Sequence, residues 1–195
     1  MQSIAVYCGS SSGNNPQFIA KAIELGHLLA QRKITLVYGG GRVGLMGTIA
    51  DAVLDKGGRV LGVIPTFLKE QELGHEGVTE LIEVDSMHER KQRMIELAEG
   101  FIAMPGGFGT LEEITEALTW SQLGLHRFPC GLLNIDGYYD GLIACVEAMH
   151  GANLLRVEDR DRLLAQAEPT ALLESMLAWQ PPAKLKWEHL SPDQA

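Results

Sequence analysis

Phe101-Ile102-Ala103-Met104-Pro105-Gly106-Gly107-Phe108-Gly109-Thr110-Leu111-Glu112-Glu113 reads as an apolar strand, a glycine-rich turn and the start of a helix carrying carboxylates. Gly106, Gly107 and Gly109 lack the side chains that would keep an anion away from the backbone N–H groups. Thr110 is expected to cap the helix, whose positive dipole end faces the same point. The guest this turn would suit is a phosphate.

The same alternation runs outward from this stretch. Ile4 to Cys8, Thr35 to Tyr38, Val60 to Ile64, Leu81 to Val84, Phe101 to Met104 and Gly131 to Ile135 read as short strands. Between them, Pro16 to Gln31, Leu45 to Asp55, Met87 to Glu99, Thr110 to Leu123 and Tyr138 to Met149 carry helical patterns. That order predicts α/β units with right-handed crossovers, giving a Rossmann-like open parallel sheet with helices on both faces. A later helix, Thr170 to Trp179, is expected to pack outside it. Ligands of such sheets bind beyond the carboxyl ends of the strands. Three loops should therefore converge: Cys8 to Gly13, Gly39 to Gly44, and Gly106 to Thr110.

With 195 residues, 46% of them hydrophobic, the chain can bury one sizeable core and is short for two. We read residues 1–180 as a single domain and 181–195, which include Pro181 and Pro182, as a C-terminal extension. The net charge of −9 and the absence of a Lys/Arg block argue against nucleic acid or an anionic membrane as partner. No apolar run is long enough for a membrane span and no secretory segment opens the chain, which predicts a cytoplasmic protein. Cys8, Cys130 and Cys145 are too few and too scattered for a disulfide framework or a zinc site.

Gly39-Gly40-Gly41-Arg42-Val43-Gly44 fits the dinucleotide fingerprint G-x-G-x-x-G, but the acid expected at the end of the next strand is missing, since Val60 to Ile64 runs into Pro65 and Thr66. Gly40 therefore reads equally as a ligand contact or as a tight turn. Ser10, with Ser11 and Ser12, offers hydroxyls to a phosphate or sugar, or simply makes a turn. Cys8 reads as a small buried residue at a strand end rather than a nucleophile.

The segment Asp85-Ser86-Met87-His88-Glu89-Arg90-Lys91 opens a helix directly after a strand, which brings Arg90 to the ligand edge. Its guanidinium could grip a phosphate or carboxylate, or belong to a solvated helix face. Among Glu112, Glu113 and Glu116, Glu113 lies one turn from Gly109 and can reach back over the glycine loop, with Glu116 behind it. His75 and His88 have no ligand-spaced partner, so no essential metal is expected.

Taken together, Ser86-Met87-His88-Glu89-Arg90-Lys91 and Pro105 to Glu113 closely resemble the LOG family, the cytokinin riboside 5′-monophosphate phosphoribohydrolases. Cys8-Gly9-Ser10-Ser11, Val37 to Gly41, Gly44-Leu45-Met46-Gly47 and Thr119-Trp120 extend the resemblance, and the tail beyond Gln180 lies outside it. The resemblance implies hydrolysis of the N-glycosidic bond of a nucleoside 5′-monophosphate, AMP or a cytokinin riboside monophosphate, to free base and ribose 5-phosphate. It implies Arg90 and Glu113 as the catalytic pair. Lys91, Gly106, Gly107, Phe108, Gly109, Thr110, Leu111, Glu112 and Thr119 match substrate-contacting positions, and Glu72 is a looser match. It further implies a homodimer and a reaction without cofactor.

Two rival readings stand beside it. Related Rossmann-like folds bind nucleotides or molybdenum cofactor without hydrolysis, so a carrier is the alternative. The label of lysine decarboxylase also attaches to this family, yet no lysine is singled out as a Schiff-base former.

Overall fold

The strands β1 (Ser3–Tyr7), β2 (Thr35–Tyr38), β3 (Val60–Pro65), β4 (Glu80–Val84), β5 (Phe101–Ala103), β6 (Cys130–Leu133) and β7 (Leu163–Gln166) form one sheet in the order β4-β3-β2-β1-β5-β6-β7. Every pairing in it is parallel. The computed structural model describes residues 1–69 and 74–182. Glu72 and residues 183–195 of the expected extension lie outside the described residues.

The inner strands are apolar on both faces because helices cover both, whereas the edge strand β4 carries exposed Glu80 and Glu83. Ile4 and Val6 point toward α1 (Pro16–Gln31), α2 (Gly44–Asp55) and α8 (Pro169–Ala178), where they join Leu25, Leu29, Ile49 and Leu172 in one buried cluster. Ala5 and Tyr7, one residue out of phase, join Met94 and Ile95 of α4 (Met87–Leu97) and Ile114 and Ala117 of α5 (Phe108–Leu123) in the other. Each such large side chain, fully removed from water, contributes roughly 2 kcal/mol. Three further helices, α3 (Thr66–Lys69), α6 (Asp140–Gly151) and α7 (Val157–Arg160), lie in the connections.

Helix starts are set locally. Asn15 accepts a hydrogen bond from the Gln17 amide ahead of Pro16 at the first turn of α1. Ser86 accepts from the Glu89 amide at 3.1 Å, while the Glu89 carboxylate accepts from the Asp85 amide at 2.8 Å. This reciprocal cap fixes where α4 begins, and with it the position of Arg90.

The chain runs from β1 outward to β4 and returns to β5 on the other side of β1, so the loops after β1 and β5 diverge from adjacent strands. Such a switch point opens a crevice at the carboxyl edge. Its two lips are tied together by Met104 N–H donating to Tyr7 O at 2.9 Å and Gly9 N–H donating to Pro105 O at 3.1 Å.

Two expectations are corrected here. α5 begins at Phe108, with Gly107 as its N-cap residue and no side-chain cap; Thr110 sits buried in the first turn rather than capping it. β7 was not anticipated, because Leu163-Leu164-Ala165-Gln166 carries no alternation and becomes a strand only by pairing with β6.

Candidate active site

Arg90 is buried, and its guanidinium is docked on main-chain oxygens at the carboxyl ends of two neighbouring strands. Nε donates to Val63 O at 3.2 Å and Nη2 donates to Gly39 O at 2.9 Å. Its Nη1 lies 3.8 Å from Met87 Sδ. These contacts hold a charge at the crevice in one orientation, which a solvated helix face would not do.

Across the crevice, α5 begins without a side-chain cap, so the amides of its first turn are available to a ligand. The glycines of this turn divide into two kinds. A Cβ on Gly106 would overlap Thr110 Oγ1 and lie 2.7 Å from Thr110 Cβ, so that glycine is required by packing within the protein. A Cβ on Gly107 or Gly109 would meet no protein atom within 4 Å. Space is thus left open directly over the helix terminus, the place where an anion would press against the backbone. The turn is braced from behind: Tyr138 OH donates to Gly106 O and Tyr139 OH to Met104 O, each at 2.6 Å.

Between these walls lies a cleft of about 190 Å³, in which Arg90, Glu112, Glu113, Ser10, Gly107, Gly109 and Thr110 come together. Its floor is less polar, with Val6, Tyr7, Met46, Met87 and Met94. Glu113 makes itself felt on two buried neighbours. The Tyr7 hydroxyl is pushed well up by burial and then by Glu113, and the Cys8 thiol is pushed up by the same two causes against a smaller opposing pull from Arg90. Cys8 therefore stays protonated, which suits the packing reading and not a nucleophile. A second hollow of about 440 Å³ opens on the other side of Gly9, Ser10 and Gly107, walled by Phe18, Leu45 and Tyr138.

The remaining residues singled out in sequence lie elsewhere. Lys91 is buried behind the cleft and bonded to Glu112 and to Glu116, the latter at 3.2 Å. Gly40 turns at φ +79° beneath Ile64, and its carbonyl accepts from the His75 amide at 2.9 Å. Phe108, the first residue of α5, is 92% exposed, and Leu111 packs partly against the core. Thr119 lines a separate hollow of about 240 Å³ between α5 and α6, with Leu118, Leu142, Val146 and Met149. Met87 and Met94 of α4 reach the cleft, while Trp120 of α5 packs on the core. Gly39 reaches the cleft as part of the Gly39 to Gly44 loop expected to converge there, whereas the side chains of Tyr7 and Met46 were not singled out in sequence and join the cleft through strand order. Among the described residues no group of three or more His, Cys, Asp or Glu is arranged to hold a metal ion.

Comparison with known proteins shows the family. A family model described as possible lysine decarboxylase matches residues 46–176. The chain is 43% identical over 191 residues to the cytokinin riboside 5′-monophosphate phosphoribohydrolase LOG2 of Arabidopsis thaliana, covering 95% of this chain and 90% of that one. The chain belongs to the LOG family. The rice enzyme LOG is 48% identical over 168 residues, covering 86% of this chain and 69% of the relative. Among solved structures, the Moco carrier protein of Chlamydomonas reinhardtii superposes with a TM-score of 0.68 at 20% identity, over 90% of this chain and 97% of that one. The molybdenum cofactor binding protein of Rippkaea orientalis gives 0.66 at 23% identity, over the same 90% and 97%. At that identity the likeness is one of fold.

Proposed function

We propose that this LOG-family chain hydrolyses the N-glycosidic bond of an adenine-type nucleoside 5′-monophosphate, releasing the free base and ribose 5-phosphate. The observation that carries the reading is the placement of Arg90 and Glu113 on one small cleft beside an uncapped helix terminus with open glycines. The 5′-phosphate binds the first-turn amides of α5. Water attacks the ribose anomeric carbon as its bond to the base nitrogen breaks, the electron pair leaves with the base, and a water proton restores the neutral products. Positive charge builds on the ribose in that transition state, and the Glu113 carboxylate stabilises it and orients the water. Arg90, fixed on main-chain oxygens, supplies a cation to the phosphate or the departing base.

Hydrolysis is favoured over simple carriage by this pairing of a carboxylate with a fixed guanidinium. Decarboxylation through a Schiff base would require a neutral amine. Desolvation lowers the Lys91 pKa, but the hydrogen bonds it donates to Glu112 and Glu116 outweigh it and hold the ammonium cationic.

The same reading includes a homodimer. Helix α6 has no buried residue, and its apolar side chains Leu142, Val146 and Met149 border the hollow shared with α5. A second copy docked there would cover them. The Thr119 contact to substrate implied by the family would then reach a cleft across the dimer. A cytoplasmic location accompanies this reading; among the described residues no helix is long and apolar enough to cross a membrane.

The deciding experiment is chromatographic detection of free base and ribose 5-phosphate after incubation with AMP and with isopentenyladenosine monophosphate. Release by the wild-type chain establishes the reaction and its base preference. Tight nucleotide binding without release would replace it with a carrier.

A further inference from the structure

The first glycine of Gly39-Gly40-Gly41 has an unusual neighbour. A Cβ built on Gly39 would overlap Arg90 Nη2 and lie 3.1 Å from Arg90 Cζ; beyond these, the nearest atom is Met46 Sδ at 3.2 Å, the movable part of a flexible side chain. The backbone of Gly39 is not in the left-handed region, so its own conformation would accept alanine. No other main-chain or rigid side-chain atom is among the three nearest. The closest conflict by far is with one group, the guanidinium whose Nη2 abuts this residue and donates to its carbonyl at 2.9 Å.

We propose that Gly39 is a positioning residue for Arg90: its missing side chain is the socket that lets the guanidinium reach the carbonyls of Gly39 and Val63 and so face the cleft in one orientation. The socket turns part of a stretch that reads in sequence as a dinucleotide fingerprint into support for a catalytic arginine. This inference rests on the proposed role of Arg90 in hydrolysis, and its test keeps the two apart.

The test is a cycle of Gly39→Ala, Arg90→Ala and the double variant, read by turnover of AMP, by melting temperature and by hydrogen exchange at the Arg90 Nε–H in the two chains that retain it. Gly39→Ala is expected to lower kcat about a hundredfold, the scale for an ångström of misplacement in a catalytic group. In the Arg90→Ala background the same change should alter kcat by less than about twofold, since nothing is left to misplace. Gly39→Ala should melt below wild type, while the double variant melts no lower than Arg90→Ala because removing the guanidinium relieves the clash. The Nε–H, held by Val63 O in wild type, should lose its protection in Gly39→Ala. Unchanged Nε–H protection, equal losses in both backgrounds, or failure of both glycine variants to fold would each overturn the proposal. If wild type releases no base, the hydrolase reading fails, and melting and exchange still decide whether Gly39 seats Arg90.

Discussion

Lys91 Nζ donates to Glu116 Oε1 at 3.2 Å, joining the helix that carries Arg90 to the helix that carries Glu113. Glu112 bonds the same ammonium. The Lys91 ammonium is buried against two partly exposed carboxylates of the neighbouring helix, so it acts as a clasp between α4 and α5. Lys91→Met is expected to lower kcat roughly tenfold through misplacement and the melting temperature by about 5 °C. The pH dependence has a definite sign. The folded pKa of Lys91 is raised, so its contribution is complete below the unfolded value of about 10.4 and fades as pH rises through the folded one. Melting curves above pH 10 should fall more steeply for wild type than for Lys91→Met.

Glu113→Gln keeps the shape of the side chain and removes its charge. Turnover of AMP should fall by about 100-fold or more, with nucleotide affinity within roughly threefold of wild type. Near-normal turnover by steady-state assay would remove Glu113 from the mechanism.

Tyr138→Phe deletes the hydroxyl that braces Gly106 O and leaves the ring against Phe18, 5.5 Å between centroids. The loop, freed at one point, should bind the phosphate less well, raising KM about three- to tenfold with little change in melting temperature. An unchanged KM would show that Tyr139 alone braces the turn.

Asp159 supports the opposite limb of the pH profile. Burial would raise its carboxyl, but hydrogen bonds from Arg156, Gln122 and Arg162 prevail and hold it below the usual range. A depressed folded pKa gives stability that is present above the unfolded value of about 3.9 and is lost as pH falls through the folded one. Asp159→Asn should therefore be destabilised at neutral pH and show a flatter decline below about pH 4 than wild type.

The α5–α6 face predicts the assembly. Val146→Glu places a charge on the apolar hollow shared with Leu118 and Leu142 and should convert a dimer to a monomer by sedimentation. A wild-type monomer would remove the homodimer from the proposal.

The alternation of strands and helices and the family were legible in the amino-acid sequence, whereas the start of α5 was not, since Thr110 reads as a cap and is buried instead. The Phe101 to Glu113 stretch showed its strand, turn and helix because hydrophobic spacing and glycine act over a few residues, and the Ser86–Glu89 cap placed Arg90 one turn into its helix for the same reason. What those residues face was set by long-range packing. Gly39 and Arg90 are 51 residues apart, and strand order alone seats one on the other. Lys91 met Glu112 and Glu116, and Thr119 turned to the outer face of α5, because helix packing fixes azimuth and sequence spacing leaves it open. Local propensity acts through neighbours along the chain, whereas a site is made by long-range contacts that exist only once the sheet has closed.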